Sequence, residues 1–589
     1  MINYLTTLSP SVGPMDSGEL TLTAMRLGVA HPPGYPLFTW LGRIATMFGG
    51  EPALAANLMT AIIAAAAVGT LFLAAVSLNI NHLGAAVASL SLAFSATFWQ
   101  QATAHEVYTL AALLLSLLIL SVAQARRGSA ISVVMAGYLF GLALAHQPTA
   151  LLWLPALLVL YFTGRTPARP RWVLPALPAA VILGASSALG TLFLARSRPL
   201  FNWGDPSTLE RFWAHVTASQ YRPLTLTSLF WIRLSHLPQT IISEFGLPVL
   251  LLILVGAGWL FHTNRSLLAS VAVLLLAGTF ALGYQIVDYR VQLLPQFLAL
   301  ALTAGASVNL LDALAVRLKQ IRRTVSVLAS ILPLAAPGYA LFTNFPAARE
   351  MRLPIVPELG ENLLNSLPDS AVLLTSDDCT RNSVTYLQYV RAQRRDVRTV
   401  HADMLFSPAY RKELNSWLHL PAPAIPPAVT GHEQQKQVLL AQLVDAIPSG
   451  RPVFVTTDML DPEFLTGPVM RRWRPVPFGI VVRLVPAAAT LNLDSVLMIN
   501  RELWSSYRQT GVFNRLHNSV LADIARIYPS ALNNLAAFFR EQGKYEAALA
   551  SLHQALTYPV PDWLERLIER QLELIPVTSP AGETAHNYL

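Results

Sequence analysis

Residues 16–36 read DSGELTLTAMRLGVAHPPGYP and stand shortly before the first complete hydrophobic span of the chain. The segment places two carboxylates, Asp16 and Glu19, and one imidazole, His31, beside the predicted membrane. Ionisable side chains next to a bilayer are costly to desolvate and tend to be functional. We therefore predict that this segment forms part of a functional site at the membrane surface.

The composition indicates a membrane protein with a polar C-terminal part. The chain has 589 residues, of which 53% are hydrophobic and 13% are charged, whereas soluble proteins carry about 25% charged residues. Apolar blocks fill residues 1–343, and residues 345–589 read like a soluble protein. The net charge of +8 does not indicate nucleic acid, because no Lys/Arg tract with interleaved aromatic residues is present. The single cysteine, Cys379, excludes an intramolecular disulfide and a Cys-based zinc site.

The apolar stretches are long enough to predict a polytopic α-helical membrane protein of about ten spans. The opening MINYLTTLSPSV reads like the end of a hydrophobic helix, and two explanations stay open: the start was assigned too late, which gives eleven spans, or the first span is absent in nature, which gives ten. The predicted spans are residues 53–79, 83–103, 107–125, 128–145, 148–163, 173–195, 241–262, 266–284, 293–313 and 324–343.

Short loops rich in arginine orient these spans, because such loops face the cytoplasm. The arginines at 126–127, 165–171, 265 and 317–323 fall on alternate turns and predict one cytoplasmic face. The candidate reactive residues and the whole region after 343 fall on the opposite, outer face. We therefore predict a multi-pass protein of the plasma (inner) membrane with an extracytoplasmic C-terminal region.

The acidic pair supports two interpretations. A partly desolvated carboxylate, Asp16 or Glu19, is suited to act as a general base. The spacing of the two residues also resembles a capping box at a helix start. The two roles are compatible with each other.

The sequence HPPGYP supports a rigid turn that fixes His31 and Tyr35, because proline restricts the backbone and glycine permits a tight bend. A plain break between two helices explains it equally well.

Other candidate substrate-binding residues lie at the predicted outer ends of later spans. Each also has a structural interpretation: a residue favoured by the helix dipole, a turn residue, an aromatic at the membrane interface, or an Asp–Arg pair that fixes helix ends. An arginine at this position is also suited to bind a lipid phosphate. These candidates are His105, Glu106, His146, Asn202, Trp203, Asp205, Asp288 and Arg290.

Five motifs together resemble one family. DSGEL, GVAHPPGYPL, HEVYTL, NWGDP with HVTASQY, and the Asp–Tyr–Arg at 288–290 are similar to the protein O-mannosyltransferase-like membrane proteins of glycosyltransferase clan C (GT-C). The resemblance covers about residues 3–300 and is weaker around 372–405. No GxGxxG, P-loop, HExxH or GxSxG motif occurs in a credible context, which argues against nucleotide and hydrolase chemistry.

The resemblance implies an inverting transfer of a sugar, mannose or a similar hexose, from a polyprenyl-phosphate donor on the outer face. The acceptor is a protein or a cell-envelope glycan. Asp16 matches the family's acidic base, with Glu19 second, and His31, His105 or Arg290 would steady the phosphate. No metal ligand set is assigned, and the need for a divalent cation stays open.

The predicted domains are a GT-C-like membrane domain at 1–344, an outer α/β domain at 345–490 and a helical region at 491–589. Strands are predicted at 371–378, 396–405 and 451–458 from alternating strand and helix patterns. The Ser-Asp-Asp turn at 376–378 is interpreted as turn chemistry. Residues 533–559 resemble one tetratricopeptide repeat, which needs neighbouring helices to bury its face.

Three other functions remain possible at this point. One is a transferase that modifies a lipid or polysaccharide, and another is an inactive scaffold that presents the repeat. The third is a transporter or flippase of lipid-linked sugars, which should show repeated halves and polar groups near the midplane. The polar residues of this chain lie at one mouth, and this favours the enzyme.

Overall fold

The computed structural model describes the chain except for residues 164–167, 225–227, 287, 318–321, 419–431, 449 and 577–589. The chain divides into two compact units, Met1–Ser9 with Thr23–Arg352, and Pro10–Leu22 with Leu353–Leu589. The sequence assigns all of residues 1–344 to one membrane domain. In the structure, the short segment Pro10–Leu22, with both candidate bases, belongs to the second compact unit. The predicted domain bounds at 1–344, 345–490 and 491–589 stay a prediction.

The first unit is built mainly of helices, and helix Ser17–Arg26 contains the division between the two units. Its other α-helices are Ile2–Thr7, Pro36–Thr46, Pro52–Ser77, His82–Ala93, Ala96–Thr103, Tyr108–Arg126, Ala130–His146, Leu154–Phe162, Val173–Ala185, Leu189–Arg196, Leu209–Val216, Leu229–Ser235, Leu237–Phe245, Leu247–Thr263, Arg265–Ala277, Phe280–Gly283, Leu294–Ala306, Val308–Arg317 and Arg322–Glu350. Short 3₁₀ helices are Pro148–Trp153, Ser186–Ala188, Ser219–Leu224 and Tyr289–Leu293.

Among the described residues, five helices are long and apolar enough to cross a membrane, or seven if each of two bent pairs forms one span. These five segments are Pro52–Ser77, Tyr108–Arg126, Val173–Arg196, Arg265–Gly283 and Tyr289–Leu314. The predicted multi-pass architecture is confirmed, and the count of ten stays a prediction.

The predicted spans at 83–103 and 241–262 are each broken in the structure. The first bends by 65° between helices His82–Ala93 and Ala96–Thr103. The second bends by 111° at Gly246, whose φ of 79° is readily adopted only by glycine. Sequence periodicity misses both bends because the hydropathy continues through them. Two shorter apolar helices, Ala130–His146 and Pro148–Phe162, coincide with two further predicted spans.

Among the described residues of the second unit, five strands form one sheet with the order β2-β1-β3-β5-β4. The strands are β1 (Val372–Thr375), β2 (Arg398–His401), β3 (Val453–Thr456), β4 (Trp473–Phe478) and β5 (Val481–Pro486). β2, β1 and β3 are parallel and β5 and β4 are antiparallel. All four residues of β1 and of β3 are buried, as expected for parallel strands covered on both faces. The three predicted strands are present, and the β4–β5 hairpin was not predicted.

Helices surround this sheet and extend to the C-terminal end of the described chain. They are Ile355–Asn365, Asp378–Tyr389, Pro408–Leu418, His432–Ala446, Pro462–Thr466, Leu493–Ser506, Ser519–Ala525, Ile527–Glu541, Tyr545–Ala555 and Asp562–Glu573, with 3₁₀ helices Ala402–Phe406, Thr457–Met459 and Val469–Arg471.

The segment that resembles a repeat forms the packed helix pair Ile527–Glu541 and Tyr545–Ala555. Asn362 donates to the hydroxyl of Tyr528 at 2.9 Å, so the first of these helices packs on the unit itself. The assignment as a tetratricopeptide repeat stays a prediction.

Candidate active site

The segment that carries both candidate bases lies against helix Asp378–Tyr389 of the second unit. The backbone N–H of Met15 donates to Cys379 Sγ at 3.2 Å, and Asn382 Nδ2 donates to the Met15 carbonyl at 2.8 Å. A Cβ on Gly18 would lie 2.3 Å from the Asn382 carbonyl oxygen. The glycine of the DSGE motif therefore permits a contact that no other residue type allows.

A buried arginine, Arg381, is the centre of this site. Its Nη2 lies 3.1 Å from Glu19 Oε2, 3.1 Å from Asp378 Oδ1 and 4.0 Å from Asp16 Oδ1. The Glu19 side chain is 0% exposed and that of Arg381 is 6% exposed. A charge in such a place is stable only when it is paired and hydrogen-bonded. The Glu19 carboxylate is therefore held in a buried ion pair with Arg381.

Asp16 has a different environment from Glu19. It stands directly before helix Ser17–Arg26, where the helix dipole favours a negative charge. Its side chain is 24% exposed, and Asn382 Nδ2 approaches its Oδ1 at 3.4 Å. Water therefore reaches the Asp16 carboxylate, while the Glu19 carboxylate is sealed.

The groups around Arg381 have shifted acidities. Burial, helped by the nearby Asp16 and Glu19 and opposed by Arg381, raises the pKa of Asp378. Burial, with the positive charge of Arg381 as a further cause, holds the pKa of His401 well below its usual range. The imidazole is therefore neutral at pH 7, and its Nε2 lies 3.1 Å from the Ser376 carbonyl oxygen.

The Ser-Asp-Asp turn at 376–378 follows β1. Asp377 Oδ2 accepts the backbone N–H of Thr380 at 2.7 Å and caps the following helix. Asp458 Oδ2 accepts the N–H groups of Ser376 and Asp377 at 3.2 and 3.0 Å. This geometry agrees with a structural role for the turn, because the Asp458 carboxylate already accepts hydrogen bonds from the backbone N–H groups that a ligand would need.

In the first unit, the HPPGYP sequence forms a tight turn. The Gly34 N–H donates to the His31 carbonyl at 2.8 Å, and Gly34 has φ of 98°. A Cβ at Gly34 would lie 2.8 Å from Thr191 Oγ1. Glycine is therefore favoured at this position for two reasons: the positive φ is strained for other residues, and a Cβ would clash with Thr191.

Aromatic side chains from three separate stretches of sequence meet at this turn. The Tyr35 ring lies 5.3 Å from His31 and 5.4 Å from His146, and His31 lies 6.0 Å from Trp203. His146 Nε2 lies 2.9 Å from the Val107 carbonyl oxygen. The structure therefore brings together four of the predicted binding residues.

The pair His105 and Glu106 is almost completely buried, at 0% and 4% exposure. The His105 ring stacks on Phe38 with centroids 4.5 Å apart, and its Nδ1 lies 3.3 Å from Thr60 Oγ1. These contacts place His105 within the packing that supports the turn.

The loop with Asn202 and Asp205 is tied to the same turn. Asn202 Nδ2 donates to Asp205 Oδ1 at 3.1 Å, and Asp205 forms an ion pair with Arg211. His215 Nε2 lies 3.1 Å from the Ala30 carbonyl oxygen, next to His31. Asp205 is therefore paired within its own loop.

The predicted residues Asp288 and Arg290 lie at the start of the 3₁₀ helix Tyr289–Leu293, where the Asp288 carbonyl accepts the backbone N–H of Val291 at 3.0 Å. Arg290 Nη1 donates to Ser243 Oγ at 3.2 Å. Gln292, on the same 3₁₀ helix as Arg290, donates to the Tyr108 hydroxyl at 3.3 Å. The 3₁₀ helix therefore touches the start of helix Tyr108–Arg126, next to the carbonyl that His146 contacts.

Sequence reasoning missed Arg381 and Arg211 as candidates, and it noted His215 only as a polar residue of the outer loop. His215 stands within HVTASQY, so the motif was a usable signal. Arg381 had no local signal, because its partner Glu19 is distant in sequence.

Comparisons with known proteins agree with this architecture. Residues 16–169 match the family described as the protein O-mannosyl-transferase TMEM260 N-terminal domain. Protein O-mannosyl-transferase TMEM260 of Mus musculus is 27% identical over 455 residues, which cover 72% of this chain and 64% of the relative. Its counterpart from Dictyostelium discoideum is 28% identical over 284 residues, which cover 43% of this chain and 34% of the relative. The chain thus spans less than two thirds of the length of either relative.

A solved structure shares the fold. The crystal structure of ArnT from Cupriavidus metallidurans bound to undecaprenyl phosphate matches with a TM-score of 0.53 and 13% sequence identity. The match covers 83% of this chain and 97% of ArnT. These findings confirm the resemblance to protein O-mannosyltransferase-like membrane proteins and the predicted GT-C-like fold class.

Proposed function

We propose that this protein is a membrane glycosyltransferase that moves a sugar, mannose or a similar hexose, from a polyprenyl-phosphate donor to a protein or envelope acceptor. The names of the two relatives support the reaction class. The lipid phosphate named with ArnT supports the donor class. The reaction takes place on the outer face of the plasma (inner) membrane, where the arginine loops predict the C-terminal region to lie.

The observation that carries the proposal is the difference between the two acidic residues. Glu19 is sealed against Arg381, whereas Asp16 is 24% exposed at the start of the same helix. A general base must reach the proton that it removes, directly or through one water. Asp16 is therefore the base, and Glu19 fixes the arginine beside it.

The reaction balances with Asp16 as the base. Asp16 accepts the proton of the acceptor hydroxyl, and the hydroxyl oxygen forms a bond to the anomeric carbon. The bond from that carbon to the phosphate oxygen breaks, and the lipid phosphate leaves with the electron pair. Attack from the opposite face inverts the anomeric centre.

Binding of the sugar and its phosphate is assigned to the cluster of His31, Tyr35, His146 and Trp203. Aromatic rings with polar edges suit a sugar face. Arg290 is the cation assigned to the leaving phosphate, because a guanidinium donates to phosphate in a bidentate manner. His105 is assigned a supporting role, because its side chain is fully buried.

The test is sugar release from labelled polyprenyl-phosphate-mannose by the purified full chain in the presence of an acceptor-peptide pool. Asp16→Asn should lower turnover by at least about a hundredfold, as expected for loss of a general base, with an unchanged unfolding midpoint. Asp369→Asn is the matched control, because that carboxylate belongs to the same unit and is fully exposed.

Equal turnover in wild type and Asp16→Asn would overturn the assignment of the base. Absence of turnover with every lipid-linked sugar, together with movement of the lipid across vesicles, would replace the transferase with a transporter or flippase.

A further inference from the structure

The first unit contains an open cavity of about 200 Å³ that none of the site residues line. Its polar lining residues are Ser77, Asn79, Arg126, Arg127 and Asn264. One water occupies about 30 Å³ in the liquid. The cavity therefore has room for a tetrahedral oxyanion with several waters.

Three basic loops of the predicted cytoplasmic face converge around this cavity. Arg126 and Arg127 end helix Tyr108–Arg126, and Asn264 precedes Arg265 in another loop. Arg169, from a third loop, donates to the Ala125 carbonyl beside the cavity. The basic loops that the sequence assigns to one membrane face therefore also lie close together in the fold, and their positive charge is concentrated around this cavity.

The two lining arginines differ in their contacts. Arg127 Nη2 donates to Asn79 Oδ1 at 2.9 Å and is thereby oriented. The half-buried guanidinium of Arg126 has no hydrogen-bond or ion-pair partner among the described residues. No aspartate or glutamate is among the described lining residues. The two guanidinium groups make this cavity an electropositive recess, in which the donors of Arg126 are available to a ligand.

We propose that this recess binds a phosphate group, supplied either by an anionic lipid headgroup of the cytoplasmic leaflet or by free phosphate. Planar guanidinium groups match phosphate oxygens in a bidentate geometry. The side-chain amides of Asn79 and Asn264 and the Ser77 hydroxyl add neutral donors at the same cavity. Basic pockets between membrane helices on this face are suited to lipid head groups. The inference is independent of the transferase reaction.

The test uses the full chain in neutral detergent with two probes: inorganic phosphate against chloride at equal ionic strength, and a short-chain phosphatidylglycerol. The readouts are the Kd of each probe and the shift in the midpoint of thermal unfolding. Arg126→Gln should weaken binding by about tenfold or more, as expected for loss of a charge-assisted contact. Arg171→Gln is the control, because Arg171 is exposed in a basic loop of the same predicted face and does not line the cavity.

Arg126→Gln is preferred to an Arg127 variant, because Arg127 also bonds to Asn79 and its loss would disturb the fold. Phosphatidylglycerol binding without phosphate binding identifies a headgroup site, and binding of both identifies an anion site. Equal Kd values for wild type and Arg126→Gln would overturn the proposal. Failure of both probes to bind wild type would also overturn it and leave the arginines with a topological role only.

Discussion

Arg381 and Glu19 lie 362 residues apart in the sequence and form a buried ion pair with 3.1 Å between Nη2 and Oε2. The pair joins the acidic segment at the start of the chain to the first helix after β1. It also decides which of the two acidic residues retains access to water. The contact therefore links the stability of the second unit to the chemistry proposed for Asp16.

The first prediction concerns this pair. Arg381→Gln leaves the Glu19 carboxylate buried without its cation, and removal of one partner of a buried pair costs about 3–5 kcal/mol. Glu19→Gln should cost less, because Asp378 still faces the arginine at 3.1 Å. The double variant should lose less free energy of unfolding than the two single variants lose together, and the difference, the coupling energy, should be about 1–3 kcal/mol. Chemical denaturation of the full chain in neutral detergent measures these free energies of unfolding.

The control for this cycle is the exposed pair Lys544–Asp494, which has a similar distance of 3.1 Å. Lys544→Gln should change the free energy of unfolding by less than about 1 kcal/mol. Equal costs for Lys544→Gln and Arg381→Gln would contradict a structural role for the buried pair.

The second prediction concerns Gly18. Gly18→Ala places a Cβ 2.3 Å from the Asn382 carbonyl, so helix Asp378–Tyr389 must shift. We expect a loss of about 1–3 kcal/mol in the free energy of unfolding and lower sugar transfer, because Asn382 also contacts Asp16. Gly258→Ala is the control, since a Cβ there meets nothing within 4 Å. Unchanged stability and transfer in Gly18→Ala would show that the two helices do not require this contact.

The third prediction is a pH dependence from His401. Its folded pKa is depressed, chiefly by burial, whereas the unfolded value is about 6.5. The unfolded chain therefore binds a proton first as the pH falls below about 6.5. Stability is fully present above that pH and is lost on acidification, by at most about 1.4 kcal/mol per pH unit for this group.

His401→Gln keeps a donor for the Ser376 carbonyl and removes the titration, so the slope of unfolding free energy between pH 7 and 5 should flatten. His553→Gln, at an exposed position, should leave the slope unchanged. An identical slope in wild type and His401→Gln would rule out this histidine as its source.

The fourth prediction concerns Gly34 in the turn that carries His31. Gly34→Ala combines a positive φ of 98° with a contact of 2.8 Å to Thr191 Oγ1. Gly49→Ala tests the backbone effect alone, because Gly49 has φ of 83° and a Cβ there meets nothing within 4 Å. The first variant should lose about 1–3 kcal/mol more than the second and raise the KM for the lipid-linked sugar. The unfolding midpoint and the KM of each variant check this. Equal effects of the two variants would show that backbone strain alone explains the loss and that the contact with Thr191 adds nothing.

Sequence patterns were sufficient for the features that depend on neighbouring residues. Hydropathy predicted a multi-pass helical protein, because a membrane span requires a continuous apolar stretch. Alternation of strand and helix predicted three strands of the second unit, and the structure shows that these strands are parallel. The short motifs predicted a GT-C-like fold, since DSGE followed by HPPGYPL is specific as a combination.

The tertiary structure decided the environments of the charged residues. The family resemblance ranks Asp16 before Glu19, but residue type and a spacing of three positions do not separate them physically. The physical difference is the burial of Glu19 against Arg381, while Asp16 stays 24% exposed. The grouping of Pro10–Leu22 with the C-terminal unit was likewise invisible, because contacts across hundreds of residues leave no periodic signal in one sequence. The energy of a charge depends on its solvent and its partners, and the packed fold determines both.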